Sequence, residues 1–274
     1  EIMPSLVGSE MCIRDSLYGV QNGVEKDPKA WIVREADPAP AAAPAAAGRG
    51  RGGAATPPPT PYADYPNPDA KPVTLYPVSG GSGLGALATV QVRSAISEKL
   101  VDDVQFSGAQ LAAAATSPNR LIYATPTLTA PVHLSGFSRV SITLASSKPA
   151  ANLSVWLVQL PWTDGPIGTA NLITRGWADP QNAASLTAGG DYHSKTPGVA
   201  LTPGKPVKMT FDLEPDDQII PAGKKIGLMI LSSDKDFTLW PAAGTELTVD
   251  LAGTSITLPV VGGADALRKA TGGR

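Results

Sequence analysis

The sequence predicts an all-β protein, and three observations support this prediction. Short runs of alternating apolar and polar residues recur from Ile122 onward, as in strands that bury one face. Turn-forming pairs such as Pro203-Gly204 and Ala222-Gly223 separate these runs. The chain also has 28 glycines and 27 prolines among its 274 residues, as turn-rich β-proteins do. Many short strands at this spacing favour a β-sandwich, and a barrel fits the same pattern.

The predicted strands follow one another along most of the chain. The first alternates around Trp31 and Val33, after an Asn-Gly turn at positions 22 and 23. In the strand over 152–158, Leu153 and its alternate neighbours lie on one face and Trp156 lies on the other. The remaining predicted strands cover 72–77, 132–134, 140–144, 207–213, 226–231, 237–239, 246–251 and 254–258.

Composition and charge narrow the classes of function. The net charge of −2 favours neither nucleic acid nor an anionic membrane as a partner. No apolar run reaches the roughly 18–20 residues that a helix needs to span a bilayer. The single cysteine, Cys12, excludes an internal disulfide and a cysteine-based metal site. The low charge and the scarcity of cysteine favour secretion over the cytoplasm, although the compartment stays open.

Composition divides the chain into five segments. Residues 1–16 look like a translated sequencing adapter, so we exclude them from the fold. Residues 17–35 contain the strand around Trp31. Residues 36–61, rich in alanine, proline and glycine, bury too little apolar surface to offset their ordering entropy, which predicts a disordered insert. A β-domain over 62–261 follows, and residues 262–274 are expected to be a mobile tail with one weak helical turn.

No residue is predicted to be catalytic. The stretch Gly81-Ser82-Gly83 lacks the strand–turn–helix context of a nucleophile elbow. His133 lies in a predicted strand, where one hydrogen-bonded ring nitrogen is the ordinary state. His193 stands between Tyr192 and Ser194, close to Asp191, but triad members meet in space from separate elements.

No metal or cofactor site is predicted either. Asp234 and Asp236 flank a lysine, and the acidic stretch 214–217 has the character of a polar turn. Both groups of carboxylates are therefore interpreted as solvated turn residues and not as calcium ligands. Trp156 and Trp240 are predicted to pack in the core or at its rim.

Several segments together resemble the C-terminal β-domain of X-prolyl dipeptidyl peptidases and their cocaine-esterase-like relatives. The resemblance rests on the sequences at 123–136, 171–180, 203–215 and 220–234. It extends from Leu17 to about Val261, apart from the insert at 36–61 and a less typical stretch at 93–120. It implies a jelly-roll β-sandwich of the galactose-binding-like type. It also implies that residues 17–35 leave an α/β-hydrolase domain and open the β-domain.

The resemblance implies a function for the parent protein. Enzymes of this family release Xaa-Pro dipeptides from peptide N-termini with a catalytic serine, aspartate and histidine that all precede the segment matching Leu17. We therefore expect this chain to be catalytically silent alone, to pack on the missing hydrolase domain and to help shape substrate access. Arg175, Trp177, Asp179 and Tyr192 are the residues expected at the interdomain contact.

Two other functions remain open at this point. The same β-domain occurs in ester and amide acylases of the cocaine-esterase group, and substrate contacts lie mostly upstream of this chain. A stand-alone carbohydrate-binding module is the alternative from another class, and exposed tryptophans on one sheet face would favour it. The expected partners are the hydrolase domain of the same chain and the parent's peptide substrate; a homo-oligomer is left open.

Overall fold

The computed structural model describes residues 18–19, 26–33, 59–91, 95–163, 171–187 and 196–273. Segment 1–16, the predicted Asn-Gly turn at 22 and 23, and positions 36–58 of the predicted insert lie outside these residues. Tyr192 and His193 lie outside them as well. No helix in the described part of the chain is long and apolar enough to cross a bilayer.

The described residues are mostly strand. The strands are β1 (Ala30–Ile32), β2 (Thr60–Tyr62), β3 (Ala70–Val78), β4 (Leu84–Ala88), β5 (Ser97–Val101), β6 (Arg120–Ala124), β7 (Val132–Gly136), β8 (Arg139–Ser146), β9 (Leu153–Leu160), β10 (Leu172–Ala178), β11 (Val207–Asp212), β12 (Asp216–Ile220), β13 (Lys225–Leu231) and β14 (Glu246–Val261). The helices are α1 (Gly108–Ala113), α2 (Gly263–Ala270) and a 3-10 turn at Pro180–Asn182.

Two sheets make the sandwich, and β3 belongs to both. One sheet has the order β10-β9-β13-β6-β4, and β4 pairs with the end of β3 through Tyr76 and Val78. In the other sheet, the long strand β14 lies between β3 and β5 on one side and β7 and β8 on the other, with β12 and β11 at the far edge. All pairs are antiparallel except β4 with β6. The prediction of an all-β sandwich is confirmed; its galactose-binding-like subtype stays a prediction.

The core lies between the two sheets, and a second apolar cluster covers the outer face of β6, β13 and β9. Leu153, Val155 and Leu157 point into the main core, as their alternation predicts. Trp156 points to the opposite face, where it packs with Leu111 of α1 and with other apolar residues. Because both faces are covered, every residue of β9 is buried. The buried strand β9 pairs with β10, which forms the edge of this sheet.

Two predicted elements differ from the structure near the chain's C-terminal end. The predicted strands at 246–251 and 254–258 are one strand, β14, because the residues after Asp250 form a bulge and not a turn. The predicted mobile tail contains the two-turn helix α2. Leu267 and Ala270, which share one helix face, are buried there, and the Ala270 carbonyl accepts a hydrogen bond from the Thr129 amide at 2.7 Å.

Two further predictions were wrong in the acidic segments. Residues 237–239 are not a strand but part of the loop that follows β13. Asp216 and Asp217, predicted to lie in a solvated turn, begin strand β12 instead, and Asp217 is buried. Asp217 accepts a hydrogen bond from His133 Nε2 at 3.0 Å, which confirms the prediction of a hydrogen-bonded strand histidine. Tyr62 Oη lies 3.4 Å from both groups and ties β2 to the sandwich.

The glycine loop between β3 and β4 binds a carboxylate of the chain itself. The buried side chain of Glu98 accepts hydrogen bonds from Ser79 Oγ at 2.6 Å and from the amides of Gly80 and Gly81 at 2.9 and 2.6 Å. Its other oxygen accepts from Tyr123 Oη at 2.5 Å. Burial alone raises the pKa of Glu98, but these four hydrogen bonds outweigh it and hold the pKa below its ordinary value of 4.5.

We predict that Glu98→Gln lowers the free energy of unfolding at pH 7 by about 2–4 kcal/mol, because an amide cannot accept all four charge-assisted hydrogen bonds. The folded pKa is depressed, so the stability from Glu98 is present above pH 4.5 and is lost as the pH falls through the folded value. Urea unfolding at several pH values measures both effects. A gap between wild type and variant that stays constant through acid pH would contradict this.

Candidate functional site

The edge of the first sheet places an arginine and two tryptophans on one face. Strand β10 pairs with β9 so that Arg175 lies opposite Trp156 and Trp177 lies opposite Ser154. A bulge between Leu172 and Thr174 sets this register. Since alternate residues of a strand share a face, the side chains of Arg175, Trp177 and Trp156 all lie on the outer side of the sheet.

A buried carboxylate holds the two tryptophans. Asp234, which is fully buried, lies just beyond the end of β13. Its Oδ2 accepts hydrogen bonds from Trp156 Nε1 at 3.0 Å and from Trp177 Nε1 at 3.2 Å. Both indole N–H groups donate to the same oxygen, so Asp234 Oδ2 orients both rings and couples the position of one to that of the other. The prediction that Asp234 is a solvated turn residue was wrong.

The surroundings of Asp234 act on its pKa in opposite directions. Burial raises the pKa, and this effect is the largest. The indole N–H groups of Trp177 and Trp156, the charge of Arg175 and the Asp236 backbone amide lower it, but not enough to compensate. The net pKa is therefore raised above the ordinary value of 3.8, so the folded state disfavours the ionised form relative to the unfolded chain.

The guanidinium group of Arg175 lies over three aromatic rings. Its central carbon is 3.7 Å from the centroid of the Phe237 ring, 5.2 Å from that of Trp177 and 5.6 Å from that of Trp156. The Trp177 and Phe237 rings are themselves 5.7 Å apart. Cation–π contacts of this kind restrict the arginine side chain while leaving its N–H groups available for other partners.

Close approaches of backbone to side chain make this arrangement possible. A Cβ atom on Gly108, at the start of α1, would lie 2.2 Å from the Trp156 ring, so only glycine lets the helix cover that indole. A Cβ atom on Gly176 would lie 2.8 Å from Leu213 Cδ2. Gly176 therefore lets β10 lie against the segment after β11, and the neighbouring Arg175 and Trp177 keep their positions.

The loop over 232–241 is pinned to the sandwich by polar contacts. Asp102 accepts hydrogen bonds from the amide and hydroxyl of Ser233, both at 2.9 Å. Thr238 Oγ1 donates to the Asp234 carbonyl at 3.0 Å, and Asn152 Nδ2 donates to the Leu239 carbonyl. The loop displays its apolar residues outward: Phe237 is 51% exposed, Leu239 is 93% exposed and Trp240 is 57% exposed.

Two open clefts flank Trp177. The first, of about 520 Å³, lies between Trp177 and Trp240 and is also lined by Asn152 and Leu239. The second, of about 770 Å³, lies between Trp177 and Phe137, which is half exposed. The surface formed by Arg175, Trp177, the exposed residues of the 232–241 loop and these two clefts is called the docking face below.

Asp179 shapes the turn between the two clefts. Its Oδ1 accepts a hydrogen bond from the Gln181 amide at 2.8 Å and caps the 3-10 turn that follows β10. Its other oxygen lies 3.3 Å from Asn182 Nδ2. The carboxylate is therefore occupied within its own turn, and Asp179 acts on the docking face by holding this turn in place.

The structure brings three of the four predicted contact residues together. Arg175, Trp177 and Asp179 lie along one edge, whereas Tyr192 is outside the described residues. Sequence reasoning missed Asp234 and Phe237, because their roles depend on a loop folding back over β9. Trp240, predicted to pack in the core or at its rim, is exposed. The sequence signals for this surface were the motif around Arg175, which resembles a known family, and the five tryptophans of the chain.

The residues considered for catalysis and metal binding lie apart. Ser82 is in the β3–β4 loop, where its carbonyl accepts from the Ser117 amide at 3.0 Å, and His133 is in β7 with Asp217 as its partner. Among the described residues, no group of three or more histidine, cysteine or acidic side chains could hold a metal ion. The described residues thus form a β-sandwich domain with an arginine and several aromatic side chains on one surface.

The comparison with protein families identifies the domain. Residues 22–269 match the family described as the X-Pro dipeptidyl-peptidase C-terminal non-catalytic domain. The match covers most of the chain, so the chain belongs to this family. The resemblance stated from the sequence is thereby confirmed, as is the prediction that this domain is itself non-catalytic.

Curated relatives agree with the family. A protein of Rhodopirellula baltica, provisionally named Xaa-Pro dipeptidyl-peptidase, is 48% identical over 249 residues, which make up 90% of this chain and 36% of the relative. A Bacillus anthracis protein with the same provisional name is 31% identical over 249 residues, or 89% of this chain and 35% of the relative. This chain therefore spans about a third of the length of these relatives.

Solved structures share the fold at low sequence identity. A CocE/NonD family hydrolase from Staphylococcus aureus has a TM-score of 0.60 at 11% identity, over 93% of this chain and 46% of that one. An aminopeptidase from a marine sediment thaumarchaeon has a TM-score of 0.54 at 14% identity, over 74% of this chain and 39% of that one. These similarities support the β-sandwich architecture.

We predict that Asp234→Ala lowers the free energy of unfolding at pH 7 by about 2–4 kcal/mol, because it leaves two buried indole N–H groups without an acceptor. Asp234→Asn is the matched control. Its amide oxygen can still accept from the indoles and it removes a buried charge, so we expect it to cost less than about 1 kcal/mol. Urea unfolding followed by tryptophan fluorescence measures both.

The same pair of variants tests the sign of the pKa shift. The folded pKa of Asp234 is raised, so its contribution to stability is greatest below pH 3.8 and is lost as the pH rises through the folded value. Asp234→Asn should lack this decline. Equal losses of stability for the alanine and asparagine variants at pH 7 would contradict the proposed hydrogen-bonding role.

Proposed function

We propose that this chain is the C-terminal part of a serine peptidase that releases Xaa-Pro dipeptides from peptide N-termini. The family assignment and the names of the curated relatives support this activity for the parent protein. The catalytic serine, aspartate and histidine would lie in an α/β-hydrolase domain that precedes this chain. The peptide substrate would bind mainly there, and this domain would form one wall of its access route.

The docking face is the surface through which this domain would pack on the hydrolase domain. The observation that carries this proposal is the combination of an arginine fixed over three rings with exposed, loop-anchored apolar residues beside it. Contacts between domains and proteins favour tryptophan, other aromatics and arginine at their centres. Arg175 and Trp177 would lie at the centre of the contact, with Asp179 fixing the turn and Tyr192 contributing from the neighbouring segment.

The proposed function implies domain boundaries in the parent protein. Residues 17–35 would leave the hydrolase domain and enter the β-domain, whose main part would cover 62–261. The pairing of β1 with β2, in which Trp31 lies opposite Pro61, is consistent with a chain entry on this side. Residues 1–16 are proposed to be adapter-derived, and an insert is proposed to follow the first strand. The predicted end of that insert at residue 61 was wrong, because Thr60 and Pro61 belong to β2.

Two other functions remain as alternatives to the dipeptidyl-peptidase. An ester or amide acylase of the cocaine-esterase group would use the same domain in the same way. A carbohydrate-binding module would use Trp177 and Trp240, which both line the first cleft, to stack on sugar rings. Measurable affinity of the purified chain for a panel of soluble glycans, lost in Trp240→Ala, would favour the module.

We predict that the purified chain does not release chromophore from an Xaa-Pro p-nitroanilide. A chimera, in which this chain replaces the matching 249-residue segment of the Rhodopirellula baltica relative, is expected to release it. The unmodified relative, assayed in parallel, is the positive control for the host domain. Turnover by the isolated chain, or a folded chimera without the activity of the unmodified relative, would contradict the proposed function.

A further inference from the structure

The guanidinium group of Arg175 is oriented but its hydrogen-bonding capacity is unused. Three rings surround it, yet none of the described residues accepts a hydrogen bond from its side-chain N–H groups. The charge of Arg175 lowers the pKa of Asp234, but the two side chains form no ion pair. Asp234 Oδ2 accepts from the two indoles, and its buried Oδ1 has no hydrogen-bond partner among the described residues. Within the described part of the chain, the arginine is thus half-buried, charged and without an acceptor.

The restricted guanidinium group of Arg175 is suited to binding a carboxylate. A planar guanidinium presents parallel N–H donors that match the two oxygens of a carboxylate. The rings restrict the side chain before binding, so little rotamer entropy remains to be lost when an acceptor arrives. They also displace water from one side of the charge, which strengthens its attraction for an anion relative to that of a fully solvated arginine.

The surroundings indicate what carries the carboxylate. Phe237 adjoins the arginine, and the exposed Leu239 and Trp240 line the first cleft together with Trp177. These side chains form an apolar surface broader than a small anion. The two clefts beside Trp177 can receive protruding side chains. About two thirds of the length of the Rhodopirellula baltica relative lies outside the segment that this chain matches. A protein surface from that larger part fits the face better than a free ion does.

We propose that Arg175 is a receptor for an acidic side chain of the hydrolase domain, an aspartate or glutamate that forms a bidentate pair with it at the centre of the docking face. This inference rests on the proposed packing of the two domains. The apolar loop residues would surround the pair and exclude water from it, as the rim of a protein interface does. Trp177 and Phe237 act as positioning residues that hold the guanidinium for its partner.

A zero-length crosslink tests this directly. In the chimera with the Rhodopirellula baltica relative, Arg175→Lys places an amine at the site, and a water-soluble carbodiimide joins an amine to a carboxylate only when the two are in contact. The carbodiimide takes up the water released as the amide forms. Mass spectrometry of the digested protein is expected to show position 175 joined to an aspartate or glutamate of the segment that precedes this chain.

Two controls make the result specific. Lys71, an exposed lysine of β3 outside the docking face, reports crosslinking by an ordinary surface lysine. Arg175→Gln removes the charge and keeps a polar, shorter side chain. We expect it to weaken interdomain docking at least about tenfold, measured as increased cleavage of the junction in limited proteolysis, whereas Arg175→Lys weakens it less. Urea unfolding of the isolated variants verifies that each one folds.

The outcomes separate this inference from the proposed function. A crosslink to the preceding segment, with weaker docking in Arg175→Gln, supports both. An active chimera in which position 175 joins only residues of its own domain, or in which Arg175→Gln docks as wild type does, overturns the acidic-partner inference and leaves the function standing. A folded chimera without peptidase activity, whose β-domain is as accessible to protease as the isolated chain, overturns both.

Discussion

The carboxylate of Asp234 is the constraint on which the docking face depends. It ties the indole of Trp156, which belongs to the buried outer cluster of the sheet, to the indole of Trp177 at the surface. Through this link, the packed interior determines the position of a half-exposed ring. Arg175 then lies over rings that are already fixed. The raised pKa of Asp234 indicates that the folded state bears a cost to keep this carboxylate buried.

Much of the fold could be predicted because strand alternation is a local signal. The alternation in β9 identified both the core-facing residues and the opposite orientation of Trp156. The division of β14 into two strands was wrong, because a Gly-containing bulge and a turn look alike until the partner strand is known. Helix α2 was predicted to be shorter and mobile, because its stability comes from the burial of Leu267 against the sandwich and not from local helix propensity.

The candidate site was only partly predictable, because local sequence patterns do not show contacts between distant segments. Arg175, Trp177 and Asp179 were identified because the motif around them resembles a known family. Asp234 looked like a turn carboxylate, and nothing local shows that its loop folds over β9 to meet two indoles. Long-range contacts of this kind decide burial, and burial decides whether an acid is solvated or structural.

Hydroxyl-radical footprinting of the docking face tests the central claim most directly. The isolated chain and the chimera with the Rhodopirellula baltica relative would be labelled in parallel, with Trp240 and Leu239 as reporters. Val90, which is 74% exposed and lies near β4, several strands away in the same sheet, is the internal reference. We predict that the reporters are protected in the chimera while Val90 is labelled equally in both proteins. Equal labelling of the reporters in both proteins would contradict it.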